Sequence, residues 1–371
     1  MTDWGSLARP SLRGLAPYDP GPSRDELKRR YGLKELAPLN WNEDLFGPPR
    51  EVLDAAAAEL RRAPFYPERA YADFRDAVAG WLGLPPDHVI PAHGAQALVA
   101  AIAAAFIEPG IPVVVPAPTY GLYAHVSAAA GGRVTTVPLK GLEMDLDAVA
   151  AAARSERARL VWICDPNNPT GALADPGAWS QFLDELPDDC AVVADEAYID
   201  FAAPELRADR LRDVVDGRPV IVLRSFSKIF GLAGLRLGFA VADPGVARVL
   251  DIVQEPFGVN RAALAAGRAA VALPGFIDRR RAEVAAARDA LRDALAGGGI
   301  VTHPSQANFV LVELGVDDRP VCEVLLRRGA LVRGGHGFGL DGFCRVTVAP
   351  VPVMGRVAEL IAEARAAISM P

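Results

Sequence analysis

Lysine is scarce in this sequence of 371 residues. Of its 39 basic residues only four are lysines, namely Lys28, Lys34, Lys140 and Lys228. Arginine carries almost all of the positive charge. A primary amine can condense with a carbonyl group to form an imine, whereas a guanidinium group does not. A lysine within an apolar, structured segment is therefore a candidate for chemistry that arginine cannot perform.

Cysteine is equally rare, and histidine shows no useful spacing. The four cysteines are widely scattered, at positions 164, 190, 322 and 344. Without paired spacing they favour neither a disulfide framework nor a thiolate metal site. The five histidines also lack the spacing of metal ligands. We therefore expect no metal site, and we interpret the cysteines as small buried apolar residues.

Two further features are missing, an excess of positive charge and a long apolar run. Lysine and arginine number 39 against 46 acidic residues, a formal net charge of −7, so no basic surface is available to a nucleic-acid backbone. The longest apolar run, residues 95–107, is too short to cross a bilayer. The first residues do not follow the pattern of a signal peptide. The sequence predicts a cytoplasmic protein with neither nucleic acid nor membrane as a partner.

What is present is a regular alternation of strand and helix patterns. Hydrophobic residues make up 51% of the chain, which is ample for a large core. Short β-branched runs separated by alanine-rich helical segments indicate an α/β fold, with a mostly parallel seven-stranded sheet covered by helices on both faces. The seven predicted strands are residues 88–91, 112–115, 133–137, 159–164, 190–194, 220–223 and 238–241.

The pattern changes near residue 256 and predicts a smaller α+β domain. Long helices are expected at 261–272, 276–295 and 353–367, with a small sheet from 308–312, 330–332 and 344–348. The first 50 residues are rich in proline and glycine. We predict three parts: an arm at 1–50 that belongs to the small domain, a large α/β domain at 51–255, and a small domain at 256–371.

Polar or aromatic side chains follow five of the predicted strands. In an open α/β sheet, ligands bind outside the carboxyl ends of the strands. The first of these turns, residues 94–96, opens a helix whose free amide groups suit a phosphate. The others supply Tyr120, then Asn168 between two prolines, then Asp195 and Tyr198, and finally Ser225, Ser227 and Lys228, with Arg236 eight residues further on.

Together these groups match the chemical needs of pyridoxal phosphate. Its aldehyde requires a primary amine, which Lys228 offers. Its ring nitrogen requires a buried carboxylate, for which Asp195 is placed, and its phenolic oxygen requires neutral donors such as Asn168 and Tyr198. Its phosphate requires hydroxyls, amides and a cation, available from Ser225, Ser227, Arg236 and the turn Gly94, Ala95 and Gln96.

Several of these segments resemble the class I/II aminotransferases. The resemblance rests on Ser225-Phe226-Ser227-Lys228, Asn167-Asn168-Pro169-Thr170-Gly171 and Asp195-Glu196-Ala197-Tyr198, and on residues 118–123 and 231–238. Residues 39–48, 65–68, 304–309, 332–334 and 344–348 are most similar to the histidinol-phosphate aminotransferase branch. The resemblance runs from about residue 39 to the C-terminal helix, nearly the whole chain.

The resemblance implies the fold of type I pyridoxal-phosphate-dependent transferases and a role for each motif residue. Lys228 is implied as the Schiff-base lysine, which also moves the proton between substrate and cofactor. The same motifs imply Asp195 at the pyridine nitrogen, Tyr198 and Asn168 at the phenolic oxygen, and Tyr120 stacked on the ring.

The resemblance also implies how the substrate and a second subunit are bound. Arg345 is implied to bind the substrate carboxylate as a bidentate fork, and Arg333 to bind a substrate phosphate. Asn42 is a further candidate for substrate binding. Tyr66 is implied to reach the cofactor phosphate of a neighbouring subunit, so that a homodimer with shared active sites is expected.

The function expected from these features is transamination in two half-reactions, with an amino donor and a 2-oxo acid acceptor such as 2-oxoglutarate. Histidinol phosphate is the hypothesised donor. An aromatic amino-acid aminotransferase and a threonine-phosphate decarboxylase-like lyase remain open as alternatives. A regulatory protein built on the same scaffold would need a DNA-binding domain ahead of residue 39, and the short arm has no room for one.

Two other features have simpler interpretations than a catalytic or nucleotide-binding role. The charge cluster Arg279, Arg280 and Arg281 lies in a predicted helix and is interpreted as a solvated face. The glycine-rich segment 334–339 precedes a strand rather than a helix, so it does not match a dinucleotide-binding loop. It is predicted to be a flexible loop on the substrate side.

Overall fold

A computed structural model describes residues 2–19 and 21–369 of the chain. Within these residues the strands are β1 Ala37–Leu39, β2 Val89–Ala92, β3 Pro112–Ala117, β4 Arg133–Pro138, β5 Leu160–Cys164, β6 Ala191–Asp195, β7 Val220–Ser225, β8 Gly238–Val241, β9 Val301–Thr302, β10 Phe309–Glu313, β11 Ala330–Gly334 and β12 Phe343–Thr347. Each predicted strand is present within a few residues of its predicted ends, and the sequence analysis missed the two short strands β1 and β9.

Helices connect and cover these strands. They are α1 Trp4–Leu7, α2 Arg24–Tyr31, α3 Arg50–Leu60, α4 Ala72–Leu82, α5 Ala95–Phe106, α6 Leu122–Ala130, α7 Leu146–Glu156, α8 Pro176–Asp184, α9 Arg210–Val215, α10 Pro244–Val253, α11 Arg261–Val271, α12 Phe276–Gly297, α13 Asp318–Arg327 and α14 Val351–Ser369. None of the helices in the described residues is both long enough and apolar enough to cross a membrane.

The larger sheet has seven strands in the order β2-β8-β7-β6-β5-β3-β4. Strand β8 runs antiparallel to both of its neighbours, and the other pairs of neighbours are parallel. The predicted mostly parallel sheet is therefore confirmed. Alternate residues of its buried strands enter two different cores, as in β6, where Val193 packs on the side of α5 while Val192 and Ala194 pack on the opposite side.

The smaller sheet has five strands in the order β1-β11-β12-β10-β9. Strand β1, from the proline-rich arm, pairs in parallel with β11, while β11, β12, β10 and β9 form antiparallel pairs. Its core is continuous with one face of the larger sheet, since Phe309 and Val222 belong to the same buried cluster. The pairing of β1 supports assignment of the arm to the small domain, and the predicted boundaries at 50 and 255 stay a prediction.

The register of the larger sheet brings three chemically important loops to one edge. Cys164 at the end of β5 is paired with Asp195 at the end of β6, and Asp195 is paired with Leu223 of β7. The segments that follow these three strands therefore begin side by side. The smaller sheet contributes Arg333 and Arg345, which are direct partners across β11 and β12, to the same region.

Candidate active site

A cavity of about 440 Å³ lies at this edge, between the two sheets. Most of the residues predicted from the motifs line it, namely Asn42, Ala95, Gln96, Tyr120, Asn168, Asp195, Tyr198, Ser225, Ser227, Lys228, Arg236, Arg333 and Arg345. They come from distant parts of the chain, so only the sheet topology brings them together. Gly94 contacts the same group through Arg236.

Lys228 extends its amine into the cavity from the turn that follows β7. Its Nζ donates hydrogen bonds to the carbonyl oxygens of Trp41, at 3.1 Å, and Asn42, at 2.9 Å. It lies 5.3 Å from the centroid of the Tyr198 ring. Burial, together with the positive charge of Arg345, lowers the pKa of the Lys228 amine to about 7. A large fraction of this amine is therefore unprotonated, and nucleophilic, at neutral pH.

Asp195 ends the buried strand β6 and has only neutral partners. Its Oδ2 accepts a hydrogen bond from the Tyr123 hydroxyl at 2.7 Å, and its Oδ1 accepts one from the backbone N–H of Ala197 at 3.0 Å. No cationic side chain within residues 2–19 and 21–369 lies at ion-pair distance from it. Burial raises the pKa of this carboxyl above its usual value. A buried carboxylate of this kind is stabilised by a cationic partner brought by a ligand.

Tyr198 lies beside Asp195, and its hydroxyl is held by Asn42. The Asn42 side-chain amide donates to the Tyr198 hydroxyl at 3.1 Å, and its Oδ1 accepts from the Thr347 hydroxyl at 3.1 Å. Burial raises the pKa of Tyr198, so the phenol stays protonated at neutral pH. The sequence analysis placed Asn42 among the substrate-binding candidates, and the structure shows that its side chain joins Tyr198 to β12.

The predicted phosphate-binding groups form one continuous arrangement. Arg236 donates to the Ser227 hydroxyl at 3.5 Å and to Gln96 Oε1 at 3.3 Å, while Gln96 donates to the Tyr120 hydroxyl at 2.6 Å. Gly94 has a positive φ of 83°, and a Cβ atom there would lie 2.7 Å from an Arg236 nitrogen. Glycine is therefore required where the guanidinium approaches the start of α5, whose first amides have no partner within the helix.

Two arginines without carboxylate partners face the cavity from the smaller sheet. Arg345 is buried and donates to Asn168 Oδ1 and to the carbonyl oxygen of Asn40, while its Nε has no hydrogen-bond partner among the described residues. Arg333, beside it, forms no ion pair with any residue that the structure describes. Burial lowers the pKa of Arg345 to about 10, and the positive charge of Arg333 adds to this. The pair is suited to an anionic ligand.

Tyr66 is the one predicted site residue that does not join this group. It is 78% exposed and stacks on Phe257, with ring centroids 4.9 Å apart. Phe65 beside it is 67% exposed. Within its own chain Tyr66 therefore contributes nothing to the cavity.

Several residues at the cavity were missed by the sequence analysis. Tyr123 belongs to the motif at 118–123, and its three-residue spacing from Tyr120 along a helix start is the signal that could have revealed it. Tyr18 comes from the arm and packs edge-on against Tyr120, at 6.1 Å between centroids. Phe338 belongs to the glycine-rich segment, which forms a short 3-10 helix. No local pattern in the sequence identifies Tyr18 or Phe338.

The prediction of a solvated face for the arginine cluster on α12 is correct for Arg279, which is exposed, but wrong for Arg280. Arg280 is 6% exposed and forms a buried ion pair with Asp44, and it also donates to the carbonyl oxygen of Gly47. Arg281 donates to the carbonyl oxygen of Asp200. The error arose because the pattern of charges along a helix does not show which acidic groups a distant segment will bring. Asp44 follows Asn42 in the chain, so Arg280 helps to fix the segment that contacts Lys228.

Buried charges also join the three strand ends behind the cavity. Arg210 forms ion pairs with Asp165 at 2.5 Å and Glu196 at 3.0 Å, and Arg224 pairs with Glu196 at 2.7 Å. Asp165 directly follows β5, Glu196 directly follows β6, and Arg224 lies near the end of β7. Since buried pairs are costly to break, they hold these loops in a fixed arrangement.

Comparison with known proteins agrees with this geometry. The family model for aminotransferases of class I and II matches residues 34–361. The chain belongs to this family. A curated histidinol-phosphate aminotransferase of Moorella thermoacetica is 37% identical over 341 residues, covering 92% of this chain and 88% of the relative. One from Symbiobacterium thermophilum is 38% identical over 343 residues, covering 92% and 94%.

A solved structure gives the same result for the fold. The histidinol-phosphate aminotransferase of Sinorhizobium meliloti, in complex with pyridoxal-5'-phosphate, superimposes with a TM-score of 0.92 at 30% identity, covering 98% of this chain and 99% of the other. The predicted family, fold type, reaction class and cofactor are confirmed at this level. The chain is a pyridoxal-phosphate-dependent aminotransferase.

The residues of this cavity fit the cofactor. A buried carboxylate without a cation matches a protonated ring nitrogen, and Asp195 supplies it. The close approach of Arg236 to Gly94 leaves a cationic cradle at a helix start, which suits a phosphate dianion. An amine with a lowered pKa, on Lys228, matches an aldehyde.

Proposed function

We propose that this aminotransferase transfers the amino group of histidinol phosphate to 2-oxoglutarate. The names of the relatives from Moorella thermoacetica and Symbiobacterium thermophilum support this donor. The observation that carries the proposal is the pair Arg333 and Arg345, two guanidinium groups side by side in one cavity without a carboxylate partner among the described residues. Such a pair provides more positive charge than a single carboxylate needs, and it suits a phosphate dianion.

In this proposal each side chain has a distinct task. Pyridoxal phosphate, when bound, supplies an electron sink for the carbon that bears the amino group. Lys228 would act as the base that removes the proton from that carbon and as the acid that passes it to the cofactor in the same half-reaction, and it would move a proton in the opposite direction in the second half-reaction. The carbonyl oxygens of residues 41 and 42 orient its amine. Asp195 would keep a positive charge on the ring nitrogen, and Tyr198 and Asn168 would donate hydrogen bonds to the phenolic oxygen.

The remaining residues bind and orient. Tyr120 would lie against the ring of the cofactor, and Gln96 holds the hydroxyl of Tyr120 by a hydrogen bond. The phosphate of the cofactor would be held by Ser225, Ser227, Arg236 and the first amides of α5, from Gly94 to Gln96. The substrate anion is held by Arg345 and Arg333. Asn42 orients the hydroxyl of Tyr198 and closes the wall beside the substrate.

A titration with single donors tests the proposed substrate. We expect histidinol phosphate to convert the cofactor to its amine form, read as loss of visible absorbance, at concentrations well below those needed for phenylalanine. We expect this preference because the guanidinium groups of Arg333 and Arg345 together bind the phosphate of histidinol phosphate, whereas phenylalanine offers only a carboxylate. Glutamate should also react, because 2-oxoglutarate is the expected acceptor. Preference for phenylalanine would instead select the aromatic aminotransferase, and release of carbon dioxide from threonine phosphate without an acceptor would select the lyase.

The variant Arg333→Ala provides the matched control for this titration. Loss of one charged hydrogen-bond donor to the phosphate should lower kcat/KM for histidinol phosphate by about 10- to 100-fold. The value for phenylalanine should change little, since Arg345 still binds its carboxylate. An equal loss for both donors would contradict the role of Arg333 as a phosphate contact.

The pH dependence of Lys228 is a separate prediction. Because burial lowers its pKa to about 7, the amine becomes neutral as the pH rises through this value. Covalent capture of pyridoxal phosphate by the cofactor-free protein, trapped with borohydride, should therefore increase with a midpoint near pH 7, whereas an ordinary lysine has a pKa of about 10.4. In Arg345→Gln the midpoint should rise, since one neighbouring positive charge is removed. A midpoint above about 9 in the unmodified protein would refute the lowered pKa of Lys228.

We also propose that two copies of the chain form a homodimer with shared sites. The exposed side chains of Phe65, Tyr66 and Phe257 form an apolar surface that a partner subunit would cover. Tyr66 would then reach the cofactor phosphate of the other subunit.

We further propose a cytoplasmic location, because four free cysteines suit a reducing compartment.

A complementation experiment tests the shared site. Tyr66→Ala and Lys228→Ala should each be impaired as homodimers. In a mixed dimer one site combines an intact Lys228 from one subunit with an intact Tyr66 from the other, so activity should return in the unfolded and refolded mixture. The mass of the protein in solution, from light scattering, should be that of two chains. Failure of the mixture to regain activity, with dimers formed, would show that Tyr66 does not serve the neighbouring subunit.

A further inference from the structure

We propose that Phe338 is a specificity-determining residue that fixes Arg333 beside Arg345, so that the pair selects a phosphate dianion over a carboxylate, and that Asp318 and His336 position Phe338. This inference rests on the proposed function, because it assigns the phosphate to the two arginines. It gives a role to the glycine-rich segment 334–339 and to His336, which the sequence analysis left without one.

The ring of Phe338 lies against both guanidinium groups. Its centroid is 5.3 Å from the guanidinium carbon of Arg345 and 5.8 Å from that of Arg333. Arg345 also contacts the ring of Phe309, at 5.3 Å. Arg345 is thus held by two aromatic rings and two hydrogen bonds, whereas Phe338 is the one aromatic ring, among the described residues, that lies over Arg333.

Arg333 therefore depends on Phe338 for its position. Two like charges on adjacent strands repel each other, and the repulsion favours rotamers of Arg333 that point away from Arg345. A ring face that attracts both cations offsets this repulsion. Without the ring we expect Arg333 to sample other rotamers, and Arg345 alone would then bind the phosphate.

Phe338 is in turn held by a buried carboxylate below the loop. Asp318, in the first turn of α13, is completely buried. Its Oδ2 accepts from the backbone N–H of His336 at 3.3 Å and from His336 Nδ1 at 2.5 Å, and its Oδ1 accepts from the backbone N–H of Gly342 at 3.1 Å. One carboxylate therefore accepts hydrogen bonds from residues on both sides of Phe338.

Two glycines of the loop are packed closely against neighbouring groups. A Cβ atom on Gly335 would lie 2.1 Å from the carbonyl oxygen of Leu340, and one on Gly334 would lie 2.6 Å from Asp318 Oδ2. The glycines are thus needed for close approach of the chain to itself. These contacts and the hydrogen bonds of Asp318 give the Phe338 ring a defined place, while the flexibility that the sequence predicts for this segment stays a prediction.

A double-mutant cycle in the holoenzyme tests the proposal. The two readouts are kcat/KM for histidinol phosphate and the inhibition constant of inorganic phosphate, with phenylalanine as the comparison donor. Phe338→Ala should lower kcat/KM for histidinol phosphate and weaken phosphate inhibition by about tenfold each, as expected for loss of a desolvated cation–π contact. Phenylalanine turnover should change less than about threefold. Phe338→Tyr, which keeps the ring, should restore the phosphate preference.

The decisive comparison is made in the Arg333→Ala background. If Phe338 acts through Arg333, Phe338→Ala should have little additional effect there. Fully additive effects, or an equal loss for both donors, would overturn the proposal. If the unmodified protein does not use histidinol phosphate but Phe338→Ala still weakens phosphate inhibition only when Arg333 is present, the proposed donor fails and this inference stands.

The role of Asp318 is tested by hydrogen exchange. Asp318→Asn should accelerate exchange of the amides of His336 and Gly342 and weaken phosphate inhibition in the same direction as Phe338→Ala. Asp87→Asn is the matched control, because it also removes a contact between a carboxylate and a histidine, here His88. This contact lies just before β2, at the opposite end of the strand from Gly94. If Asp318→Asn lowers only the melting temperature and leaves the phosphate preference unchanged, Asp318 has no positioning role.

Discussion

Replacement of Lys228 by alanine is expected to abolish transamination, with a loss in kcat of at least about 10⁴-fold, because one side chain provides both the covalent anchor and the proton-transferring base. The cavity offers no substitute. The other three lysines lie at positions 28, 34 and 140, away from its lining. Stopped-flow turnover and the visible spectrum of the purified protein measure the effect, and both activity and the visible absorbance that requires the covalent bond to Lys228 should disappear.

Two variants show whether the loss is specific. Lys228→Arg keeps the positive charge but not the primary amine, so it should be as inactive as the alanine variant. Lys140→Ala removes an exposed lysine in a surface turn and should leave turnover and spectrum unchanged. Activity of Lys228→Arg within tenfold of the unmodified protein would contradict the chemical role of the amine.

Replacement of Asp195 by asparagine is expected to lower kcat by about 10²- to 10³-fold, the size of effect seen when a preorganised electrostatic contact in a buried site is removed. The amide has nearly the same shape as the carboxylate, but it cannot stabilise a positive charge on the ring nitrogen. Burial already raises the pKa of this carboxyl, so the ionised form depends on a cationic partner. Single-turnover rates and equilibrium dialysis of the cofactor separate loss of chemistry from loss of binding.

The control for Asp195 is its hydrogen-bond partner. Tyr123→Phe removes the 2.7 Å hydrogen bond to Oδ2 but keeps the charge and the stacking of ring 123 on Trp162. Its effect should be smaller than that of Asp195→Asn, since the charge of the carboxylate is retained and only one hydrogen bond to it, which contributes about 1.5–3 kcal/mol, is lost. Equal effects of the two variants would mean that orientation, and not charge, is what Asp195 provides. A melting curve for each variant checks that the fold is retained.

The strands of the larger sheet were predictable because each is a short buried run whose residues suit no other element. Residues 160–164, for example, are all buried, and the predicted strand 159–164 differs from β5 by one residue. The direction of β8 was not predictable in the same way. Its hydrophobic pattern is the same whether it runs parallel or antiparallel to β7, and only the tight return through Arg236 decides the direction.

The functional residues that directly follow or end a strand were predictable from the sequence. The contacts that these residues make with distant segments of the chain were not. Lys228 and Asp195 directly follow or end strands whose carboxyl ends share one edge, so the rule for open sheets locates them. The carbonyl partners of Lys228, at residues 41 and 42, come from a segment separated by more than 180 positions. The charge of Arg280 was interpreted as solvated because Asp44, its partner, lies 236 positions away in the sequence.

The sequence by itself determined the chemistry, since the reactive groups are specified by short motifs whose residue types have few other uses. The tertiary structure alone decided how those groups are tuned and surrounded. The lowered pKa of Lys228 arises from burial and from a charge on another sheet, and the aromatic contact between Phe338 and two arginines exists only because β11 and β12 are neighbours. Both effects depend on distances of a few ångströms between segments far apart in the chain, which no local pattern records.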